Sequence, residues 1–472
     1  MIGRCAVGAA LIAALISVAC AVLPSVLPPR VLALPGHMLG HAYFEPDLLT
    51  AAQATRLSEL MKEMKVFPSN VADTSFYKTV REDIGEAQPV DPSMNACADP
   101  FLVPNGNRTL CVLPGRIDIG RHFILSGGPT EGLREPYESM ISRVQSFGRY
   151  MFDLSQYPDV KALFDEPRFL NLARRVCPAD KQYLDPFQFN LILQLPGQTV
   201  AAHVDGVYFW GATRFQFPQW LLAAMVFSGR FRDSFIDQVQ VVAYLHDWDP
   251  KTRVKAGEFI HWATPQVEEQ WRAKGDPNVS VPVKPLAYDP MPRAGSAIDG
   301  SKCVHAAEVY KGSPRSPPLP LIEKNAHNEL VYEGPSDESG WVLRSAGKPL
   351  QRYSTDDIRT SIVYRARCFR DEAEALRFDG KGGPEEELLS LDSILTTLSD
   401  ELVKRGVVAS VDSAMAMDRK QLAVKIMDTF IKYPLPDRTV RLNPYNYCAL
   451  PRLIRTPWAA KAAKQVLSLL CR

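Results

Sequence analysis

The sequence predicts a mainly β core, a double-stranded β-helix or jelly roll, with flanking α-helices and an N-terminal transmembrane or signal helix. Three observations predict it. Between Phe187 and Cys368 four short runs alternate apolar and polar residues with period two and carry β-branched and aromatic side chains: Phe187–Leu195, Val239–Trp248, Glu258–Trp262 and Arg359–Phe369. Helical periodicity is confined to the flanks of that block. The chain opens with an uncharged apolar run from Cys5 to Leu27. Short strands bounded by turn signals such as Leu195-Pro196-Gly197, with no helices between them, belong to an antiparallel double-sheet barrel.

Roughly 20 apolar residues suffice for a helix to span a bilayer, and Cys5–Leu27 reaches that length before Pro28-Pro29-Arg30. The run also holds Ala19-Cys20-Ala21, a small-x-small pattern that suits signal peptidase. A retained signal-anchor and a cleaved signal both fit, and the length favours the anchor. Either reading places the rest of the chain in the secretory pathway, in the ER or Golgi lumen, or outside the cell after cleavage. The sequons Asn107-Arg108-Thr109 and Asn278-Val279-Ser280 agree with a glycoprotein. Beyond the run lie seven cysteines: Cys97, Cys111, Cys177, Cys303, Cys368, Cys448 and Cys471. Cys97 and Cys111 flank a Pro/Asn/Gly-rich loop and form the expected bridge. The odd count leaves one thiol over, and the absence of any CxxC pair argues against a structural zinc site.

The expected organisation has four parts. Residues 1–30 form the signal segment. Residues 31–180 form a helical N-terminal extension with helices at Leu48–Val66, Glu131–Phe152 and Val160–Val176. Residues 181–370 form the β core, with an insertion at 310–356 in which Glu333–Gly347 reads as a hairpin or lid and Trp341 as a residue rimming the barrel mouth. Residues 371–472 form a helical C-terminal extension with helices at Leu388–Lys404 and Arg419–Lys432.

Composition narrows the function classes. The chain is 46% hydrophobic and 23% charged with a formal net charge of +1, so no global field attracts nucleic acid. There is no Gly-x-Ser-x-Gly, P-loop or dinucleotide fingerprint. Adjacent acidic pairs such as Glu268-Glu269 and Asp371-Glu372 read as solvated faces.

One constellation carries chemistry. His203-Val204-Asp205 follows the first strand and its Pro-Gly turn, and one residue between His and Asp puts both side chains on the same side of an extended segment. His305 lies on a later strand. Two imidazoles and one carboxylate on one face of a metal leave other positions open, which is what a non-haem Fe(II) oxygenase needs. In Phe187–Leu195 the residues Gln188, Asn190, Ile192 and Gln194 share one face, and Phe189, Leu191, Leu193 and Leu195 the other. Such a strand can line a polar cavity with its back on a core. Arg359 and Ser361 share a face of the last strand, where a guanidinium and a hydroxyl could clamp a buried carboxylate. Thr360, Ile362 and Tyr364 then face the packed side.

With these pieces in order, residues 187–369 resemble the 2-oxoglutarate/Fe(II)-dependent dioxygenase superfamily, nearest its prolyl 4-hydroxylase-like branch. The matching segments are Asn190-Leu-Ile-Leu-Gln194-Leu-Pro-Gly197, His203-Val-Asp205, Val242-Ala-Tyr244-Leu245-His246-Asp-Trp248, Gly257-Glu258-Phe259, Val304-His305-Ala306 and Arg359-Thr-Ser361. The resemblance implies that His203, Asp205 and His305 form the catalytic centre and hold Fe(II). It implies that Arg359 and Ser361, with Gln194 and Asn190, bind 2-oxoglutarate, that O2 is the oxidant, and that ascorbate is a candidate reductant. Gln194 stands where family members often carry Tyr. Arg359 follows His305 by 54 positions, so an insertion intervenes, and Lys311 is the rival anchor. The implied substrate is a peptide side chain or a small molecule, with the membrane met only through the N-terminal segment.

Two other readings stay open. The barrel could be a lumenal binding or scaffold module with a vestigial site. Alternatively, His203, His246 and His261 could form a cupin-type metal site that does not use 2-oxoglutarate, although His246 is more simply a packing residue. His37, His41, His122 and His327 fall in loop-like texture and are expected at the surface.

Overall fold

The computed structural model describes residues 32–69, 146–262, 280–322, 327–378, 389–431 and 456–467, apart from 39, 41, 215, 284, 321 and 335–338, together with short strands at 88–89, 103–104 and 110–112. The run Cys5–Leu27, the acceptor residues Asn107 and Asn278 of the two sequons, Cys97, Cys448, Cys471, His41 and His122 lie outside the described residues. Among the described residues no helix is long and apolar enough to cross a membrane.

Ten strands build the two sheets that matter for the site. In chain order they are β1 (Ala42–Glu45), β2 (Phe147–Met151), β3 (Tyr183–Gln194), β4 (Val200–His203), β5 (Gln238–Tyr244), β6 (Phe259–His261), β7 (Leu286–Tyr288), β8 (Gly295–Ile298), β9 (His305–Ala307) and β10 (Arg359–Phe369). The larger sheet runs β1-β8-β5-β10-β3-β2 and the smaller β7-β6-β9-β4, antiparallel throughout. From β3 to β10 the chain crosses repeatedly between the two. Its pairings nest, β6 with β7, β5 with β8, β4 with β9 and β3 with β10. That nesting is the double-stranded β-helix the alternating sequence predicts.

The inside of the barrel is polar, so the apolar layers lie on its two outer faces. Behind the larger sheet, Phe189, Leu191, Leu193, Val239, Val241, Ala243, Ile362 and Tyr364 form one cluster with the helices α1 (Ala51–Met64), α2 (Pro158–Phe164) and α3 (Pro167–Val176). Behind the smaller sheet, Ala202, Val204, Ile260 and Val304 pack on α4 (Gln219–Ser228), which in turn meets α5 (Leu391–Lys404) and α6 (Arg419–Phe430).

Several expectations change. The stretch 31–180 is not a separate helical extension: it supplies both edge strands of the larger sheet, β1 and β2. The helix expected over Glu131–Phe152 is, in its described part, β2, whose Phe147 and Met151 alternate onto Leu193 and Phe189 of β3. The single helix expected over Val160–Val176 is two, because Pro167 has no amide hydrogen to continue α2 and instead starts α3. A helix interrupts the strand block after all. In α4 every residue from Trp220 to Ser228 is buried, so it shows no amphipathic stripe and escapes a search for one.

The insertion also differs from expectation. Asn328–Tyr332, Trp341–Ser345 and Lys348–Tyr353 join Val66–Pro68 in a four-stranded sheet. Trp341 does not rim the mouth; it is 1% exposed and sits with Phe67 and Leu330 in the apolar layer behind the larger sheet. His37 is not a surface residue either: its Nε2 is 2.6 Å from the Val226 carbonyl at the end of α4, and the ring is half-buried. His327 is exposed beside Glu329, as expected.

A disulfide joins Cys177, just after α3, to Cys368 on β10 across 191 residues of sequence; of the expected Cys97–Cys111 bridge, Cys97 lies outside the described residues. The bridge ties the helical layer to the strand that carries Arg359. Cys303 is a buried thiol. Closing so long a loop constrains the unfolded chain, and replacing Cys177 and Cys368 together with Ser is expected to cost about 2–5 kcal/mol of stability. Urea unfolding reads this as a lower midpoint; an unchanged midpoint would contradict the bridge.

Candidate metal centre

The smaller sheet brings two histidines side by side. In the ladder between β9 and β4, His305 is the direct Cα partner of His203, so both rings stand on the inner face while Ala202, Val204 and Val304 turn outward to α4. The ring centroids are 4.2 Å apart. Two residues past His203, the Asp205 amide donates to the Gly300 carbonyl at 2.7 Å, which joins the loop after β4 to the loop between β8 and β9. Asp205 Oδ1 then lies 3.5 Å from His203 Nε2, and its Oδ2 lies 3.8 Å from His305 Nε2. One donor atom from each of His203, Asp205 and His305 lies within 4.8 Å of the others, and all three residues are buried.

The loop that carries Gly300 is held by charge. Asp299 accepts from the backbone amides of Ser301 (3.0 Å) and Gln238 (3.2 Å). Lys302 lies 3.5 Å from Asp299 and 2.9 Å from Asp237, which also pairs with Lys181 at 2.7 Å. Gly300 itself is required by space. A Cβ there would overlap Asp205 Oδ2 and stand 3.0 Å from its Cγ and 3.2 Å from His305 Cε1.

The donor set fits a divalent metal. His305 Nδ1 donates to the Cys303 carbonyl at 2.9 Å, and a carbonyl only accepts, so the other ring nitrogen, Nε2, carries the lone pair toward the cluster. Burial and the neighbouring His203 push the His305 pKa down to about 3, which keeps the ring neutral. Burial opposes ionisation of Asp205. The Arg365 guanidinium and the hydrogen bond from His203 outweigh it and hold the carboxyl well below the usual carboxylate range. A neutral His305 ring beside an ionised carboxylate suits a 2-His-1-carboxylate site.

The opposite wall is the inner face of the larger sheet. Register places Gln188, Asn190, Ile192 and Gln194 of β3 opposite Arg365, Val363, Ser361 and Arg359 of β10, with Gln240, Val242 and Tyr244 of β5 alongside. Arg359 is 5% exposed. Its guanidinium donates to Gln194 Oε1 and lies 5.1 Å from the Tyr244 ring centre. Among the described residues no carboxylate pairs with it. On the same inner face Asn190 Oδ1, Gln194 Nε2 and Arg359 Nε are buried without a hydrogen-bond partner among the described residues, and the Tyr244 hydroxyl lies against Arg359 and Ser296. A buried cation with no counter-ion, set among unsatisfied donors and acceptors, is costly unless an anion enters.

His203, Asp205 and His305 thus stand together on one wall, and Asn190, Gln194, Arg359 and Ser361 share the inner face of the other. The structure does not assemble the cupin set. His246 stacks on Trp248 with centroids 3.6 Å apart and its ring nitrogens meet the carbonyls of Pro290 and Thr360. His261 is the Cα partner of His305, but its ring stacks on Tyr288 at 5.2 Å and it adds no donor to the cluster. Lys311 is half-buried in a two-residue ladder with Lys255–Ala256, away from the inner face that carries Arg359.

Sequence reasoning missed Arg365, Gln240 and Gly300. Arg365 Nη2 donates to Asp205 Oδ1 at 2.7 Å, Arg365 Nε donates to Gln240 Oε1 at 2.8 Å, and Gln240 Nε2 lies 3.3 Å from His305 Nε2. The alternation that singled out Arg359 and Ser361 reaches Arg365 two steps later, so that signal was present. Nothing local in Asp299-Gly300-Ser301 announces a contact with Asp205.

No family model matches the chain, and no curated protein does. Solved structures with a similar chain path include a Pseudomonas putida prolyl-4-hydroxylase, 9% identical, covering 70% of this chain and 92% of that one with a TM-score of 0.25. HygX from Streptomyces hygroscopicus with nickel, 2-oxoglutarate and hygromycin B bound is 10% identical, covering 70% and 83% with a TM-score of 0.26. EctD from S. alaskensis with bound Fe is 9% identical, covering 70% and 73% with a TM-score of 0.26. Likeness this slight carries no argument about chemistry, which rests on the chain's own atoms.

Two outcomes follow. Gly300→Ala is expected to weaken divalent-metal binding by about 10–100-fold, the range for groups that support metal ligands, in an anaerobic titration; unchanged affinity would remove Gly300 from the site. The second concerns acid. His246 and His305 are pushed down to about 3 and His261 to about 4, in each case by burial first. The unfolded chain takes up these protons near pH 6.5 and the folded chain does not. Stability of the metal-free protein should therefore fall as pH drops from about 6.5 toward 4, before the ordinary carboxylates titrate. A flat urea midpoint over that window would contradict the burial of these rings.

Proposed function

We propose that the chain is an Fe(II)- and 2-oxoglutarate-dependent dioxygenase that hydroxylates a C–H bond, with His203, Asp205 and His305 holding the metal. The observation that carries the reading is the pairing of two walls. Three ligand atoms within 4.8 Å of one another stand on one wall, and a buried guanidinium that no carboxylate among the described residues pairs with stands on the facing one. A metal alone would explain the first wall and leave Arg359 unexplained; a dicarboxylate that reaches the metal with one end explains both. Bound there, iron and 2-oxoglutarate would supply O2 activation, one oxygen atom entering succinate as CO2 leaves and the other entering the substrate C–H bond.

The protein's own work is positioning. Arg359, with Gln194 and Tyr244 against it and Ser361 and Asn190 further along the same inner face, receives the distal carboxylate and fixes the co-substrate's orientation. The Cys303 carbonyl fixes the His305 tautomer. The apolar layers behind both sheets keep water from reaching the site through the sheets.

For substrate we propose a peptide side chain, on the sequence resemblance to the prolyl 4-hydroxylase-like branch, and for location the secretory pathway. The location draws support from the apolar run at the N-terminus and from the buried Cys177–Cys368 disulfide, a bond that persists in oxidising compartments.

Purified protein supplied with Fe(II), ascorbate and 2-oxoglutarate should form succinate. His203→Ala should abolish this without changing the fold's melting behaviour. Arg359→Ala should leave metal binding intact and raise the 2-oxoglutarate requirement at least about tenfold, the loss expected for one charge-assisted contact. Indifference to Arg359→Ala would favour a metalloenzyme that uses His203, Asp205 and His305 without 2-oxoglutarate, and failure to bind iron would favour a scaffold.

A further inference from the structure

We propose that Arg365 is a positioning residue that makes Asp205 a single-oxygen metal ligand, and so keeps open the coordination position a second carboxylate oxygen would take. The inference rests on the oxygenase reading and deepens it. A carboxylate can bind a metal through one oxygen or two, and a site that must admit both ends of a chelating co-substrate and O2 needs the former.

Each oxygen of Asp205 has its own surroundings. Oδ1 accepts from Arg365 Nη2 at 2.7 Å, a charge-assisted contact of normal length, and lies 3.5 Å from His203 Nε2. Oδ2 points to the side shared with His305 Nε2, 3.8 Å away, where the missing side chain of Gly300 leaves room. The same guanidinium reaches the second ligand indirectly. Its Nε fixes the Gln240 amide through Oε1 at 2.8 Å, which turns the amide nitrogen toward His305 Nε2 at 3.3 Å. Arg365 thus contacts one ligand directly and a second through Gln240 while lying on the opposite sheet, paired in register with Gln240 and Gln188. A cation there also competes with a bound metal for Asp205. Its benefit to the site must therefore lie in the geometry it imposes and not in tighter metal binding.

The experiment uses Co(II) as the probe, with the full chain and its Arg365→Gln and Arg365→Lys variants, and circular dichroism melts to show that each is folded. Visible d–d absorption is recorded without co-substrate, followed by titration of 2-oxoglutarate. Arg365→Gln is expected to bind Co(II) as tightly as wild type or more so, to change the d–d band shape and intensity, and to bind 2-oxoglutarate at least about tenfold more weakly, a difference of about 1.4 kcal/mol. Arg365→Lys, which keeps a charged donor, should restore most of the wild-type spectrum. A merely structural role would weaken metal and co-substrate together. That result, or a Gln variant with the wild-type spectrum, overturns the proposal while leaving the oxygenase reading intact. Wild-type protein that takes up no Co(II) overturns both.

Discussion

The antiparallel register that sets His305 directly against His203 is the constraint on which the rest depends. Side chains alternate across a sheet, so a slip of one residue in either strand would turn one imidazole out toward α4 and bury an apolar side chain in its place. The Asp205 amide bonded to the Gly300 carbonyl then fixes the carboxylate relative to both rings. From there the facing sheet is determined as well: an ionised carboxylate in a closed interior needs a cation, and Arg365 supplies it.

A polar interior has a consequence for the whole architecture. A barrel that keeps its inside for charged and hydrogen-bonding groups cannot use that inside as its apolar core. Both outer faces must then be covered, one by α1, α2 and α3 and the other by α4, α5 and α6. The flanking segments are thus part of the barrel's stability, and the Cys177–Cys368 bridge fastens one of those layers to the strand that bears Arg359 and Arg365. The four-stranded sheet built from the insertion serves the same purpose, with Trp341 buried behind the larger sheet.

Much of the site was legible because its residues obey local periodicity. Period-two alternation in Phe187–Leu195 and Arg359–Phe369 predicted which side chains face inward, and the second of these strands begins and ends where the sequence placed it. His-x-Asp put two ligands on one side of one segment. What escaped notice depended on contacts between distant segments. Gly300 matters only because Asp205 lies against it, and a glycine in an Asp-Gly-Ser turn looks like any other. The helix α4 escaped because it is apolar on every side, and β2 because its short aromatic alternation follows a long stretch with helical spacing. The disulfide partner of Cys368 lies 191 residues away, a distance over which spacing says nothing.

The central claim is that three side chains from two strands and a loop converge on one metal ion. Calorimetric titration of the anaerobic, metal-free protein with Fe(II), run in parallel on wild type and His305→Ala, tests it most directly. The account predicts a single saturable site per wild-type chain and none in the variant. Wild-type protein that takes up no iron, or a variant that binds as wild type does, would contradict it.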